Sequence, residues 1–225
     1  LGLERNLKAE EIVGEFIVLS NYAKMLPDNV VFMGIGEPLL NFNNMVSALE
    51  IICSSNYINY AQRRITISTS GIPEKIIMLS KLKKQYNLAI SLHATDDVTR
   101  AKLIPDKVRF PINDILQAAK TYFDATGRMI TIEYTLIRGV NDSLKQAEEL
   151  ARIAQKLRAK INLIPYNITS EGKYERPSDQ TNIFFFRAIE KITPYVTLRL
   201  EKGSNINAAC GQLRIRKKDE TVISR

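Results

Sequence analysis

Short β-branched runs alternate with longer amphipathic stretches along the whole chain, the rhythm of βα units joined into a parallel sheet. The runs predict strands at Val30 to Gly36, Ile65 to Ser70, Leu88 to His93, Met129 to Ile137, Ile161 to Pro165 and Val196 to Leu200. Helices are predicted between them at Lys8 to Lys24, Phe42 to Ser54, Pro73 to Lys84, Ile112 to Thr126, Ser143 to Leu157 and Asp179 to Ile192. Ile115, Leu116, Ala119, Tyr122 and Phe123 form one helical stripe, and Leu144, Ala147, Leu150, Ala151, Ala154 and Leu157 form another; core packing accounts for both. Gly127 is placed to end one helix and Asn141-Asp142-Ser143 to cap the next. The polar stretch from Thr169 to Asp179, with Gly172 and Pro177, is the longest predicted loop.

An even βα beat suits either an open doubly wound sheet or a barrel. The pattern opens on a helix, where a right-handed crossover needs a preceding strand, and the first residue is Leu1. The expectation is therefore a fragment whose first strand lies upstream, with an exposed edge that makes the isolated piece prone to aggregate.

Composition narrows the class. A chain of 225 residues, 45% hydrophobic and 25% charged, fits one large α/β domain. The two cysteines, Cys53 and Cys210, are too few for a disulfide framework and have no metal-type spacing, which points to a reducing cytoplasm. No apolar run approaches the roughly 18 to 20 residues of a membrane span, and Leu1 to Asn6 do not resemble a signal peptide. The net charge of +8 favours a polyanionic partner, nucleic acid first, over a merely solvated basic surface. Basic residues concentrate at Arg63-Arg64, at Lys81, Lys83 and Lys84, and at Arg214, Arg216, Lys217 and Lys218, so 214–225 reads as a basic C-terminal tail.

Polar residues recur where parallel α/β folds bind ligands, at the C-terminal ends of strands. The first predicted strand ends in Gly34-Ile35-Gly36-Glu37-Pro38, the next two in Ser68-Thr69-Ser70-Gly71 and Ser91-Leu92-His93, and a later one in Pro165-Tyr166-Asn167. Gly34-Ile35-Gly36 lacks the third glycine and the immediate helix of a dinucleotide fingerprint. Glu37 suits a ligand amine or hydroxyl, or else a solvated turn. His93 is the only histidine, open between a hydrogen-bonded wall residue and a general base, and no second group completes a triad. Ser68 and Ser70 line a site or merely close the strand end. Glu133 points into a barrel or is a paired structural carboxylate. Cys53, in an apolar helix, reads as core, whereas Cys210, among Asn207-Ala208-Ala209 and Gly211-Gln212-Leu213, is an approachable thiol.

Taken together, Phe32 to Asn41, Ile67 to Gly71, Ala89 to Ala94, Gly139 to Ser143, Leu163 to Asn167 and Ala208 to Leu213 closely resemble the radical S-adenosylmethionine RNA methyltransferases. The nearest match is the family that methylates carbon 2 of adenine in 23S ribosomal RNA and in tRNA. The resemblance runs through the whole chain and implies a partial (βα)6 TIM-like barrel, truncated here to 1–213 and without its first strand. It implies that Gly36 and Glu37 contact the methionyl part of S-adenosylmethionine, and that Ser68, Ser91, Leu92, His93 and Asn167 complete the pocket.

By the same resemblance, Cys210 is the catalytic methyl carrier. One S-adenosylmethionine methylates its thiolate, and a second is cleaved to a 5′-deoxyadenosyl radical that activates the S-methyl group for attack on the ring. The family's [4Fe-4S] cluster is held by a Cys-x3-Cys-x2-Cys loop, and its adduct is resolved by a further upstream cysteine. Neither is in this sequence, so no metal ligand is expected here and the chain alone is expected to be inactive. An electron donor such as flavodoxin, RNA partners, a monomeric state and a cytoplasmic location are implied. The rivals are the paralogous family that methylates adenine carbon 8, which Glu37-Pro38-Leu39-Leu40-Asn41 fits less well, a noncatalytic RNA-binding remnant, and an ordinary barrel enzyme acting on a small anion. Asn205, where the family has Asp, and Thr95-Asp96, where it has Pro-Asn, depart from the pattern.

Overall fold

The computed structural model describes residues 4–33, 36–167 and 172–199. Six strands form one parallel sheet: β1 (Val30–Phe32), β2 (Ile65–Thr69), β3 (Asn87–Ser91), β4 (Thr131–Leu136), β5 (Lys160–Pro165) and β6 (Val196–Leu198). Their spatial order is the chain order, β1-β2-β3-β4-β5-β6. A doubly wound sheet reverses its order at a switch point. This one never does, so successive right-handed crossovers send the helices to a single face, as in a partial barrel.

The helices are α1 (Ala9–Ala23), α2 (Phe42–Cys53), α3 (Pro73–Lys81), α4 (Asp97–Leu103), α5 (Ile112–Thr126), α6 (Leu144–Leu157) and α7 (Asp179–Glu190). Neighbours pack in pairs, α1 on α2, α3 on α5 and α6 on α7. Gly127 ends α5 at φ 67, where an L side chain would be strained, and Ser143 opens α6 with a reciprocal capping box to Gln146.

Five of the six strands end earlier than the apolar runs predict; β3 stops at Ser91 because His93 turns to φ 59. Helix α4 has no sequence counterpart above. It spans only two turns, too short for a stripe, and is started by the Asp96 side chain accepting from Thr99 N at 2.7 Å. Leu144, placed in a core stripe by periodicity, is exposed at the first turn of α6, and Cys53 is half-buried beside the core.

The strands alternate strictly. Ile65 and Ile67, Leu88 and Ile90, Ile132, Tyr134 and Leu136, and Ile161 and Leu163 belong to the core beneath the helices. The opposite face carries Ser68, Ala89, Ser91, Thr131, Glu133 and Thr135. An ordinary (βα)8 barrel fills its interior with bulky aliphatic layers. Here the concave face is polar and short-chained, which leaves room for a ligand.

Candidate active site

The mouth of the barrel is built at the ends of β1 to β5. Gly36 sits at φ 101, and a Cβ there would meet nothing within 4 Å, so backbone conformation rather than space requires glycine. The next residue, Glu37, turns its carboxylate onto the end of β2. One oxygen accepts from Leu39 N at 3.0 Å and Thr69 Oγ1 at 2.8 Å; the other accepts from Ser70 N at 2.7 Å and Ser70 Oγ at 2.8 Å. All four lone-pair positions are used within the protein. Glu37 thus cross-links two strand ends, and the adjoining backbone is left to meet a ligand.

Behind that link lies Arg100 of α4, fully buried. Its guanidinium donates to Ser70 O and to Phe110 O, while its Nε has no partner among the described residues. Burial pushes its pKa down, although the Asp97 charge opposes this. Gly71, at φ 96, completes the turn, and a Cβ there would lie 2.8 Å from Ile115 Cγ2.

On the polar face, Ser68 Oγ donates to Glu133 Oε2 at 3.2 Å and Ser91 Oγ to the same oxygen at 3.3 Å. Register explains the meeting: Ser91 faces Glu133 across β3 and β4, and Ser68 lies one strand further. Of the alternatives for Glu133, the inward-facing one holds. Leu92 has a fully buried side chain, and its backbone N donates to Glu133 O at 3.1 Å.

His93 Nδ1 accepts from Thr135 N at 3.0 Å, so a neutral ring carries its proton on Nε2. Burial first, and the Arg100 cation second, pull its pKa down to about 4. At neutral pH it is a fixed donor, the wall residue rather than the base. Asn141 holds it there. Buried Asn141 donates through Nδ2 to His93 O at 2.8 Å and Thr135 O at 2.7 Å, and accepts from Ile137 N at 2.7 Å. In the sequence Asn141 offers a cap and belongs to the Gly139 to Ser143 motif, but its spacing from Ser143 cannot reveal that its side chain points inward.

Asn167 is half-buried two residues past β5, where Tyr166 N ties the loop to Leu136 O at 3.0 Å. Ser68, Ser91 and the backbone N–H groups of Leu92 and His93 all bond to Glu133, while Glu37 is bonded separately to Leu39, Thr69 and Ser70 at the end of β2, with Gly36 and Asn167 at strand ends of the same mouth. Cys210, Asn205 and the basic tail 214–225 lie outside the described residues. Among the described residues, no group of three or more His, Cys, Asp or Glu is placed to hold a metal, and no helix is long and apolar enough to cross a membrane.

Residues 1–163 match the model of the Radical SAM superfamily. The chain is 44% identical over 220 residues to "Probable dual-specificity RNA methyltransferase RlmN" of Akkermansia muciniphila, covering 98% of this chain and 61% of that protein. It is 42% identical over 216 residues to the protein of the same name in Thermotoga maritima, covering 96% and 63%. The crystal structure of a radical SAM methyltransferase from Sphaerobacter thermophilus superimposes with TM-score 0.87 at 39% identity, over 94% of this chain and 63% of that one. The chain thus spans about three fifths of the length of the relatives it matches.

Proposed function

The chain belongs to the radical SAM superfamily, and from that premise we propose that it is the barrel of an RNA methyltransferase that moves a methyl group from S-adenosylmethionine to carbon 2 of adenine in 23S ribosomal RNA and in tRNA. The observation that carries this reading is the polar concave face. Ser68, Ser91 and Glu133 occupy barrel positions that packing alone would fill with aliphatic side chains. The named relatives, dual-specificity RNA methyltransferases similar over nearly the whole chain, supply the reaction class.

The superfamily uses S-adenosylmethionine with a [4Fe-4S] cluster, which supplies the electron for reductive cleavage. Two cysteines cannot provide the three thiolates such a cluster requires, so it does not fit on these residues and no step is assigned through it. S-adenosylmethionine does fit. The backbone at Gly36, the hydroxyls of Ser68 and Ser91, the backbone of Leu92, the Nε2–H of His93 and the amide of Asn167 would hold it. Glu37 acts by holding the loop rather than by offering a free oxygen.

Cys210 is the proposed methyl acceptor. Its thiolate attacks the sulfonium methyl, a carbon–sulfur bond forms as the sulfonium–methyl bond breaks, the thiol proton having left to solvent, and S-adenosylhomocysteine departs. The target adenine must leave its stack to approach this mouth, and the net charge of +8 favours holding RNA there. The intact protein is a cytoplasmic monomer taking electrons from a carrier such as flavodoxin. Mass spectrometry of nuclease-digested 23S ribosomal RNA and tRNA, from cells relying on the intact protein or on its Cys210→Ala variant, tests the reading. The expected result is 2-methyladenosine that disappears with the thiol. Finding 8-methyladenosine instead, or 2-methyladenosine that persists without Cys210, overturns it.

A further inference from the structure

The end of the sheet opposite the mouth, where the strands begin, carries a row of cations. Arg63 and Arg64 precede β2, Lys83 and Lys84 precede β3, and Arg158 and Lys160 stand at the start of β5. All are exposed, and none forms an ion pair among the described residues. Because β2 to β5 are consecutive neighbours in the sheet, these strand entries lie on one arc about 15 Å long. Of the carboxylates at this end, Asp124 and Glu190 are bound by Lys120 and Arg187, which leaves Asp28 and Glu50 against the whole arc. The mouth differs: there Arg109, Arg138 and Lys145 are met by Asp106, Glu175 and Glu149.

Helix dipoles explain only part of this row. They favour Lys83, Lys84 and Arg158, which follow the C-terminal ends of α3 and α6. Arg63 and Arg64 belong to a single 3-10 turn and Lys160 is the first residue of a strand, so no such field holds them there. Like charges gathered without counterions repel one another, and an anionic partner relieves that repulsion. The entries are also stiff. Gln62 Oε1 accepts from Gln85 N at 2.9 Å, and Gln85 Nε2 donates to Thr126 O at 3.1 Å. Asn87 Nδ2 donates to Arg63 O at 2.8 Å, while Asn87 Oδ1 accepts from Arg128. The approaches to β2, β3 and β4 are thereby stitched together, which lowers the entropy lost when a partner binds.

The chemistry of the surface selects that partner. Segments 61–64, 82–86 and 158–160 expose no large hydrophobic side chain, whereas a protein interface has an apolar core depleted in Lys. Phosphates need charge and no apolar anchor. Tyr195, 54% exposed, lines with Lys160 and Asn162 an open cavity of about 440 Å³, and its ring gives an unstacked base a face to stack on. The strands separate this end from the mouth by about 15 to 20 Å, so a nucleotide held here is not the one held there.

We propose that the strand-entry end of the barrel is a second RNA-binding surface, which grips the phosphate backbone of a folded RNA at a point remote from its target adenine. The inference rests on the RNA methyltransferase reading above and adds a contact outside its site.

The test compares two RNAs on the intact protein by filter binding over a range of salt concentrations. One is a transcript of 23S ribosomal RNA; the other is a single strand of about seven nucleotides with adenine at its centre, too short to reach from the mouth round to the strand entries. Lys83→Ala with Lys84→Ala and Lys160→Ala is expected to weaken binding of the long RNA roughly 10- to 100-fold, to make its salt slope shallower by about 2, and to leave the short RNA within about twofold. Removing the same charge from the outer helices, by Lys120→Ala with Arg152→Ala and Arg187→Ala, should leave both RNAs within about twofold. In lysine acetylation read by mass spectrometry, the long RNA should protect Lys83, Lys84 and Lys160. The second surface is refuted if the strand-entry variant holds the long RNA within about twofold at an unchanged slope, if it weakens both RNAs alike, or if the outer-helix variant loses as much. It is refuted too if these lysines resist acetylation in the RNA-free protein, since another part of the protein then covers them. Displacement of the long RNA by polyglutamate more readily than by polyuridylate would assign the surface to an acidic protein instead. In each of these cases the functional reading stands on its 2-methyladenosine measurement; a wild-type protein that binds neither RNA refutes both.

Discussion

Replacing Asn141 by Asp keeps the side chain's size and its acceptor for the Ile137 N–H, yet removes both donors that strap the His93 and Thr135 carbonyls together. Each bond is worth about 1 kcal/mol net, and setting a buried carboxylate against two carbonyl oxygens costs about 1 to 2 kcal/mol more. The expected loss near pH 7 is about 3 to 4 kcal/mol, a large share of the 5 to 15 kcal/mol usual for a domain. The variant also acquires a pH dependence. Burial raises the new carboxyl's pKa above its unfolded value, and Asp96, Asp142 and Glu149, close enough to act on Tyr134 next to the strap, push it the same way. A protonated carboxyl regains one donor. The deficit relative to wild type is therefore largest at neutral pH and shrinks as pH falls towards the folded pKa. Asn141→Leu, which can neither donate nor accept, should lose about 3 to 5 kcal/mol with no such recovery. Urea unfolding followed by circular dichroism at about pH 7 and about pH 5.5 measures both. A loss below about 0.5 kcal/mol for Asn141→Asp, or a deficit that does not change with pH, would refute the strap.

Glu37→Gln turns one fully used acceptor oxygen into a donor facing the Ser70 or Leu39 N–H, and should cost about 2 to 3 kcal/mol in the same unfolding assay. His93 titrates near 4 when folded against an ordinary 6.5. The unfolded chain thus takes up the proton first, so the His93 contribution to stability is complete above about 6.5 and lost as pH falls towards 4; His93→Gln should flatten that part of the stability profile. Gly71→Ala combines the 2.8 Å approach to Ile115 with φ 96 and should cost about 2 to 4 kcal/mol. Adding Ile115→Ala should recover the steric part, so that the double variant loses less than the sum of the two single losses. Ile17, Val18, Leu19, Tyr22 and Met25 on and beside α1 are each exposed, as is Val31 on β1, so the isolated chain should self-associate as concentration rises; Val18→Glu with Leu19→Lys should reduce this in sedimentation velocity.

Element order, α4 excepted, was legible in the sequence, because periods of two and 3.6 are local properties of a chain that must bury one face. Gly127 as a helix stop, Ser143 as a cap and the gathering of polar residues at strand ends follow from the same local chemistry. Periodicity also places Glu133 on the face opposite Ile132 and Tyr134. It cannot say which strands lie beside it. Ser68 and Ser91 are 65 and 42 residues away, and only the unbroken order β1 to β6 and its register bring their hydroxyls to one carboxylate oxygen. That order also separates a partial barrel from a doubly wound sheet, which an even βα beat leaves open. The neutral state of His93, the saturation of Glu37 and the inward turn of Asn141 likewise depend on partners distant in sequence. A side chain's chemical type is written in the chain, but its protonation, its free lone pairs and its neighbours are set by what the fold places within 3 Å of it.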